Sequence, residues 1–294
     1  MQKTDTKIEF DMVIPHYKDE VFLSELLHDV ISTNFKFKPN NIHVLNDGEA
    51  SEDFITVCTE YSKYLPIRVY ECEKVGHVKL VHDFVIGTET ENILISHADV
   101  GLKPNNASVK YPDPISVLSF YLSTSNDITG ISCNSIFNGE GLKGKVSASD
   151  NFISNGQRQI ARGYFTTIYR GFKSNFPLES MLGQYERVLS FDDKFYGLKS
   201  SVFKEMGGFD DKFVDYQYYL DDYFCRCRKE LNKHAIFTNE TAVKHGVVRD
   251  KPEGSLVFNQ EKHMVFNDTW LKSPYVQTAS LREEIIREEE LRMR

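Results

Sequence analysis

Positive charge is in short supply in this chain: 35 Lys and Arg face 43 Asp and Glu, a formal net charge of −8 over 294 residues. A broad nucleic-acid surface needs clustered cations to neutralise phosphates, so this balance argues against a nucleic-acid partner while leaving room for a local basic pocket. Long apolar runs are also missing. None approaches the ~20 residues of a membrane helix, and the opening MQKTDTKIEFD lacks the apolar centre of a secretory signal. The expected address is therefore cytoplasmic, with at most a peripheral place at a membrane. Cysteine is sparse and odd in number. Cys58, Cys72, Cys133, Cys225 and Cys227 form no pairs of pairs of the zinc-site kind, which points to free thiols in a reducing compartment. With 40% apolar and 27% charged residues, the rest is the composition of a globular chain long enough to bury a sizeable core.

The hydrophobic pattern alternates between strand and helix. Phe10 to Pro15 reads as a strand, Glu20 to Ile31 as a helix with apolar residues at 3.6 spacing, and Asn41 to Leu45 as a second strand running into the turn Asn46-Asp47-Gly48. Ser51 is a fitting N-cap for a helix to Tyr64; Ile67 to Tyr70, Val78 to Ile86 and Asn92 to Ser96 continue as strand, helix, strand. Short β–α alternation predicts a parallel sheet covered by helices on both faces. Further on, Ile115 to Leu122 reads as a helix and Ile128 to Ser132 as a strand. Asn134 to Asn155 reads as a polar, mobile loop. Lys194 to Leu198, Ala235 to Phe237 and Thr241 to Val243 read as strands, Ser200 to Met206 and Tyr216 to Leu231 as helices.

The run Asn92-Ile93-Leu94-Ile95-Ser96 ends abruptly in His97-Ala98-Asp99. Ligands of open α/β sheets collect at the carboxyl ends of such buried strands. In extended backbone His97 and Asp99 point the same way, so an imidazole and a carboxylate would share one metal ion or one phosphate-bearing ligand; both capping the loop backbone is the alternative. Arg158, Arg162 and Arg170 lie among Tyr164, Phe165, Tyr169 and Phe172. That mixture suits a sugar or an anion, but a surface hairpin with core-facing aromatics is the preferred reading.

Four pieces occur in a telling order: Val13-Ile14-Pro15-His16-Tyr17, then Asn46-Asp47-Gly48, then His97-Ala98-Asp99, then Gly207-Gly208-Phe209-Asp210 followed by Asp221-Asp222. The set resembles the family 2 glycosyltransferases of the GT-A fold, whose segments read V-I-P-x-Y-N, D-D-G-S, D-x-D and G-G-F-D followed by E-D. The resemblance covers about residues 9 to 250 and extends to His245 and to the Trp-containing segment Asn259 to Trp270. It implies an α/β, Rossmann-like, mostly parallel sheet with helices on both faces, plus a C-terminal helical extension. It divides the chain into a domain over 1–250, with a nucleotide-sugar half (1–104) and an acceptor half (105–250), and an extension over 251–294.

The resemblance also implies roles. A UDP-sugar would be the donor and a glycan or other hydroxyl the acceptor, in surface glycan or polysaccharide synthesis. Asp222 would be the general base of an inverting displacement, with Asp221 in the Glu position. Pro15, Tyr17, Asp47, His97 and Asp99 would line the donor site, with Lys79 and Arg249 as candidate cations for the diphosphate. Asp99 and His245 would hold Mn2+ or Mg2+, which neutralises the departing phosphate as a Lewis acid. The sequence departs from the pattern at three places: His97 stands for the first acid of D-x-D, Asn46 for the first acid of D-D-G-S, and Lys18 for the usual Asn.

Two further readings belong beside this one. A catalytically silent nucleotide-sugar or glycan binding module is motivated by His97. A sugar nucleotidyltransferase would share the sheet but needs a Gly-rich basic loop where this chain has Pro15-His16-Tyr17-Lys18-Asp19. The acidic tail Ser280 to Arg292, with its narrow apolar stripe, is expected to dock on its own domain or on a second copy rather than on a membrane.

Overall fold

The computed structural model describes residues 8–103, 111–137, 185–188, 190–191, 193–213, 218–245, 265 and 267–271. The Arg-aromatic segment 158–172, Arg249 and the acidic tail lie outside these residues.

Four parallel strands open the fold: β1 (Asp11–His16), β2 (Ile42–Asp47), β3 (Ile67–Cys72) and β4 (Asn92–Ser96). Helices α1 (Glu20–Ser32), α2 (Glu52–Ser62) and α3 (His77–Gly87) connect them. In α1 the buried residues are Leu23, Leu26, Leu27 and Val30, the i, i+3, i+4, i+7 stripe of a helix laid on a sheet. Each such leucine contributes roughly 1.5–3 kcal/mol by leaving water. Ser51 caps α2 as its sequence predicts, its hydroxyl accepting from the Phe54 N–H at 3.0 Å.

The second half departs from simple β–α alternation. After α4 (Pro114–Thr124) come β6 (Ile128–Phe137), β7 (Tyr185–Val188), β8 (Phe195–Lys199), α5 (Ser200–Glu205), α6 (Tyr219–Leu231) and β9 (His234–His245), with the two-residue β5 (Val100–Gly101) just beyond β4. The nine strands form one sheet in the order β3-β2-β1-β4-β8-β6-β9-β5, with β7 pairing β9. The β4–β8 and β6–β8 pairings are antiparallel, so β8 runs against its neighbours. The two short strands expected at 235–237 and 241–243 are one strand, β9, whose register against β6 shifts between Cys133 and Asn134. Residues 134–137, expected in the polar loop, belong to β6.

One apolar cluster packs α1, α2 and α4 against the sheet, and another packs α3, α5 and α6 against the opposite face. The edge strand β3 touches them only at its ends, Ile67 and Cys72, while Arg68, Val69, Tyr70 and Glu71 are exposed. Of the expected C-terminal extension, the described part is Val265 and a π-helical turn, Asn267–Leu271; Val265 packs against the α6 cluster and Trp270 is buried in it.

Candidate active site

The carboxyl ends of β1, β2 and β4 meet at one edge, where β1 lies between β2 and β4. That reversal of strand order makes a crevice. Pro15 is buried in β1 opposite Leu45. His16 closes β1 stacked on Phe54 at 4.8 Å, its Nδ1 3.0 Å from Asn46 Oδ1 and its Nε2 accepting from the Asp19 N–H. Asn46 thus holds His16 where the sequence pattern would place an acid. Asp47, 7% exposed, accepts from the backbone N–H groups of Val75 (2.7 Å) and Gly76 (3.1 Å), fixing the loop that leads into α3. Gly76 sits there at φ 87°, a conformation that favours glycine.

Tyr17 and Lys18 follow β1 at the mouth. Tyr17 is 42% exposed and its hydroxyl accepts from Lys74 Nζ at 2.8 Å, which joins the loops after β1 and β3. The Lys74 hydrogen bond pulls the Tyr17 phenol below its ordinary range. Lys18 adopts φ 52°, the left-handed region that Asn tolerates more readily than Lys. Lys79 pairs with Asp83 one turn along α3.

His97 and Asp99 take different neighbours among the described residues. Ala98 and Asp99 form a turn, closed by the Val100 N–H on the His97 carbonyl at 3.3 Å, so the extended alternation ends at Ser96. Asp99 lines a cavity of about 570 Å³ with Phe22, Glu25, His28, Asp29 and Lys244, on the α1 side. His97 faces His77 instead, ring centroids 5.2 Å apart and edge to face. Asp193 completes a cluster: one ligand atom from each of His77, His97 and Asp193 lies within 4.8 Å of the others, and among the described residues it is this group that can hold a metal ion. His245 ends β9 opposite Val100, and Arg249 lies outside the described residues.

The antiparallel run of β8 explains why Asp193 is there. Phe195 pairs with Ser96, and the His97 N–H donates to the Lys194 carbonyl at 3.0 Å, so the start of β8 meets the end of β4. Asp193 Oδ2 accepts from the Tyr219 hydroxyl at 3.0 Å, and Oδ1 from Lys194 Nζ at 3.0 Å. Burial holds both imidazoles below their ordinary range, His77 down to about 4, so both are neutral near pH 7. The buried His97 Nε2 has no hydrogen-bond partner among the described residues.

Asp222 lies in the first turn of α6, three residues after Tyr219. It is 2% exposed; Oδ1 accepts from Trp270 Nε1 and Oδ2 from Arg226 Nε, each at 2.8 Å. Burial raises its pKa, opposed by the Arg226 charge. Arg226 also donates to the carbonyls of Met206 (2.8 Å) and Gly208 (2.6 Å). That ties α6 to the Gly207-Gly208 turn, where both glycines have φ above 70° and a Cβ on Gly208 would collide with the His82 ring. Asp221 is fully buried beside it in the first turn of α6. The Asp222–Arg226 spacing of i, i+4 was the signal in the sequence for this clamp. His77 and Asp193 carried no such signal, being distant in sequence from His97 and from each other.

No protein-family model and no curated protein matches this sequence. Solved structures do. GalNAc-T7 with UDP, GalNAc and Mn2+ superposes with a TM-score of 0.62 at 13% identity, over 92% of this chain and 49% of that one. The mannosyltransferase PcManGT from Pyrobaculum calidifontis, in complex with GDP-Man and Mn2+, gives 0.52 at 11% identity over 82% of this chain, which spans 58% of its length. A mycobacterial protein gives 0.50 at 11% identity over 83% of this chain and 68% of that one. At these identities the likeness is one of architecture: the chain has the GT-A fold of glycosyltransferases.

Proposed function

We propose that this chain is a nucleotide-sugar-dependent glycosyltransferase whose donor lies in the crevice at the ends of β1, β2 and β4. The observation that carries the proposal is the convergence there of Tyr17, Lys18, Lys74, His97 and the loop fixed by Asp47, on a fold whose neighbours are complexed with GDP-Man or with UDP and GalNAc. A leaving nucleoside diphosphate develops negative charge. Lys18 and Lys74, 5.3 and 4.5 Å from the Tyr17 ring centroid, supply positive charge at the mouth. Tyr17 offers a face for a base or sugar.

A divalent ion is part of this reading, as both neighbours carry Mn2+. The residues present fit one: two neutral imidazoles and a carboxylate each bring a ligand atom within 4.8 Å of the others, and the buried His97 Nε2 makes no hydrogen bond among the described residues. When bound it would supply Lewis-acid neutralisation of the diphosphate. His77, His97 and Asp193 would hold it, while Asp99 and His245 are the pair that the sequence pattern suggests. In this proposal Asp222 is a positioning residue rather than the general base, because both of its oxygens are bonded and it is 2% exposed. The two halves at 1–104 and 105–250 become a donor half and an acceptor half. UDP remains the first donor to test, with inversion, a glycan acceptor and a cytoplasmic address as parts of the same proposal; among the described residues no helix is long and apolar enough to cross a membrane.

The clamp on Asp222 also favours a second reading, a nucleotide-sugar-binding module without turnover. A screen of UDP- and GDP-sugars separates the two, measuring binding by calorimetry and hydrolysis by nucleotide release, with and without Mn2+. Nucleotide release supports transfer. Binding without release supports the module, and neither binding nor release with any donor overturns both.

A further inference from the structure

We propose that His77, His97 and Asp193 form a site for a borderline divalent transition ion, built from two imidazole nitrogens and one carboxylate oxygen at the junction of α3, β4 and β8. The three ligand atoms already lie within 4.8 Å of one another. Bonds of about 2.0–2.2 Å from zinc-like ions to nitrogen and oxygen place donors roughly 3–4 Å apart, so small side-chain rotations close the site. Ligation uses an imidazole nitrogen lone pair, and each ring brings one ring nitrogen within 4.8 Å of an Asp193 oxygen. His97 supplies the observation that points to a ligand: its Nε2 is buried and makes no hydrogen bond among the described residues. An orphaned buried nitrogen is costly unless something satisfies it.

The surroundings are those of a supported ligand set. Tyr219, 1% exposed, donates to Asp193 Oδ2 and orients the carboxylate, as outer partners of metal ligands do. Lys194 Nζ, 3.0 Å from Oδ1, is the cation that an incoming ion displaces or shares the carboxylate with. The donor set selects the metal. Mg2+ and Ca2+ prefer shells made of oxygen, whereas two nitrogens with one oxygen suit Zn2+, Co2+, Fe2+ or Mn2+. Three protein ligands leave positions open for an exogenous group. The existence of the site stands without the glycosyl-transfer reading; only the use of the ion on a leaving diphosphate rests on it.

The test is a Co2+ titration of the metal-free full-length chain, followed by visible absorption, with Zn2+ as competitor. One Co2+ per chain is expected, displaced by Zn2+. His77→Ala and His97→Ala should each weaken binding at least tenfold, while His28→Ala, on the exposed face of α1, should leave it unchanged. Mg2+ should not compete at equal concentration. Circular dichroism establishes that each variant is folded. Should either alanine variant fail to fold, nitrogen NMR of wild-type histidines replaces it, with Zn2+ expected to shift one ring nitrogen in each of His77 and His97. Absence of Co2+ binding, wild-type affinity in both histidine variants, unmoved His77 and His97 nitrogens, or binding lost in Asp99→Asn but kept in both histidine variants would overturn the site. Ion binding at the triad without nucleotide-sugar hydrolysis sinks the enzyme reading and keeps the site; hydrolysis with the ion elsewhere does the reverse.

Discussion

Around β1 the two ends of the same parallel strands differ in how their polar groups are bonded, although Asn92 Oδ1 at the amino end of β4 is also buried without a hydrogen bond among the described residues. At the amino end, Asp11 opens β1 buried, with Oδ1 accepting from the Asn41 backbone N–H and side-chain amide, and Oδ2 bonded to Thr90 and His43. His43 in turn meets the Tyr70 hydroxyl at 3.0 Å. At the carboxyl end, His97 keeps a buried nitrogen without a hydrogen bond among the described residues, Tyr17 is exposed and Asp99 is half-buried against a cavity of about 570 Å³, as Asp11 and His43 line one of about 690 Å³ beside β3. A closed network fixes strand positions, and a unit left open is where binding energy remains available to a ligand. Asp222 belongs with the closed group despite its place in a catalytic-looking motif, since Arg226 and Trp270 occupy both oxygens.

Breaking that clamp is the largest expected effect. Arg226→Ala leaves the Asp222 carboxylate buried without its cation and frees the carbonyls of Met206 and Gly208. Removing one partner of a buried pair costs about 3–5 kcal/mol. Urea unfolding should show the loss. A loss below about 1 kcal/mol, accompanied by abolished donor turnover, would return Asp222 to the role of base and undo its grouping with Asp11.

The amino-end network predicts a smaller loss with a pH signature. Burial alone would raise the Asp11 pKa, but the hydrogen bonds from His43, Thr90 and Asn41 outweigh it and hold the carboxyl below 3.8. A depressed folded-state pKa means that the native state binds fewer protons than the unfolded chain. Its stabilising contribution is therefore present above pH 3.8 and lost as pH falls through the lower folded value. Asp11→Ala should cost about 1–3 kcal/mol at pH 7 and flatten this acid limb. Acid unfolding followed by circular dichroism measures both, and an unchanged limb would show that the network adds nothing ionic.

Much of this contrast was legible in the sequence, and the reason for the remainder is topological. Ser51 as a cap, the α1 stripe and the β4 run at Asn92–Ser96 are local signals, and the structure reproduces them. The GT-A fold was legible from ordered motifs. The partition of His97 from Asp99 was not, because strict alternation holds only while the backbone stays extended, and a turn begins at Ala98. Asp193 was invisible for a different reason. A β–α pattern predicts parallel neighbours, whose starts lie at the far edge, and only the antiparallel course of β8 brings its first residues to the end of β4. The identity of Asp222 as a clamp required knowing that Arg226 reaches two carbonyls as well as the carboxylate.

The open end supplies the smallest effect on stability and the sharpest test of the comparison. Tyr17 and Lys74 make one hydrogen bond across the mouth, between solvent-exposed groups. Exposed pairs exchange protein contacts for water at little net gain, so Tyr17→Phe should leave the unfolding midpoint indistinguishable from that of the parent chain. Without the hydroxyl, the Lys74 ammonium loses its partner at the mouth. If this end is built for an anionic ligand, a freed Lys74 should leave nucleoside diphosphate affinity equal or stronger, whereas Lys74→Ala should weaken it and lessen its salt dependence. Calorimetry of UDP and GDP at two ionic strengths reads both. Should Lys74→Ala destabilise the fold while leaving nucleotide affinity and its salt dependence untouched, the mouth would be another closed network, and the contrast between the two strand ends would fail.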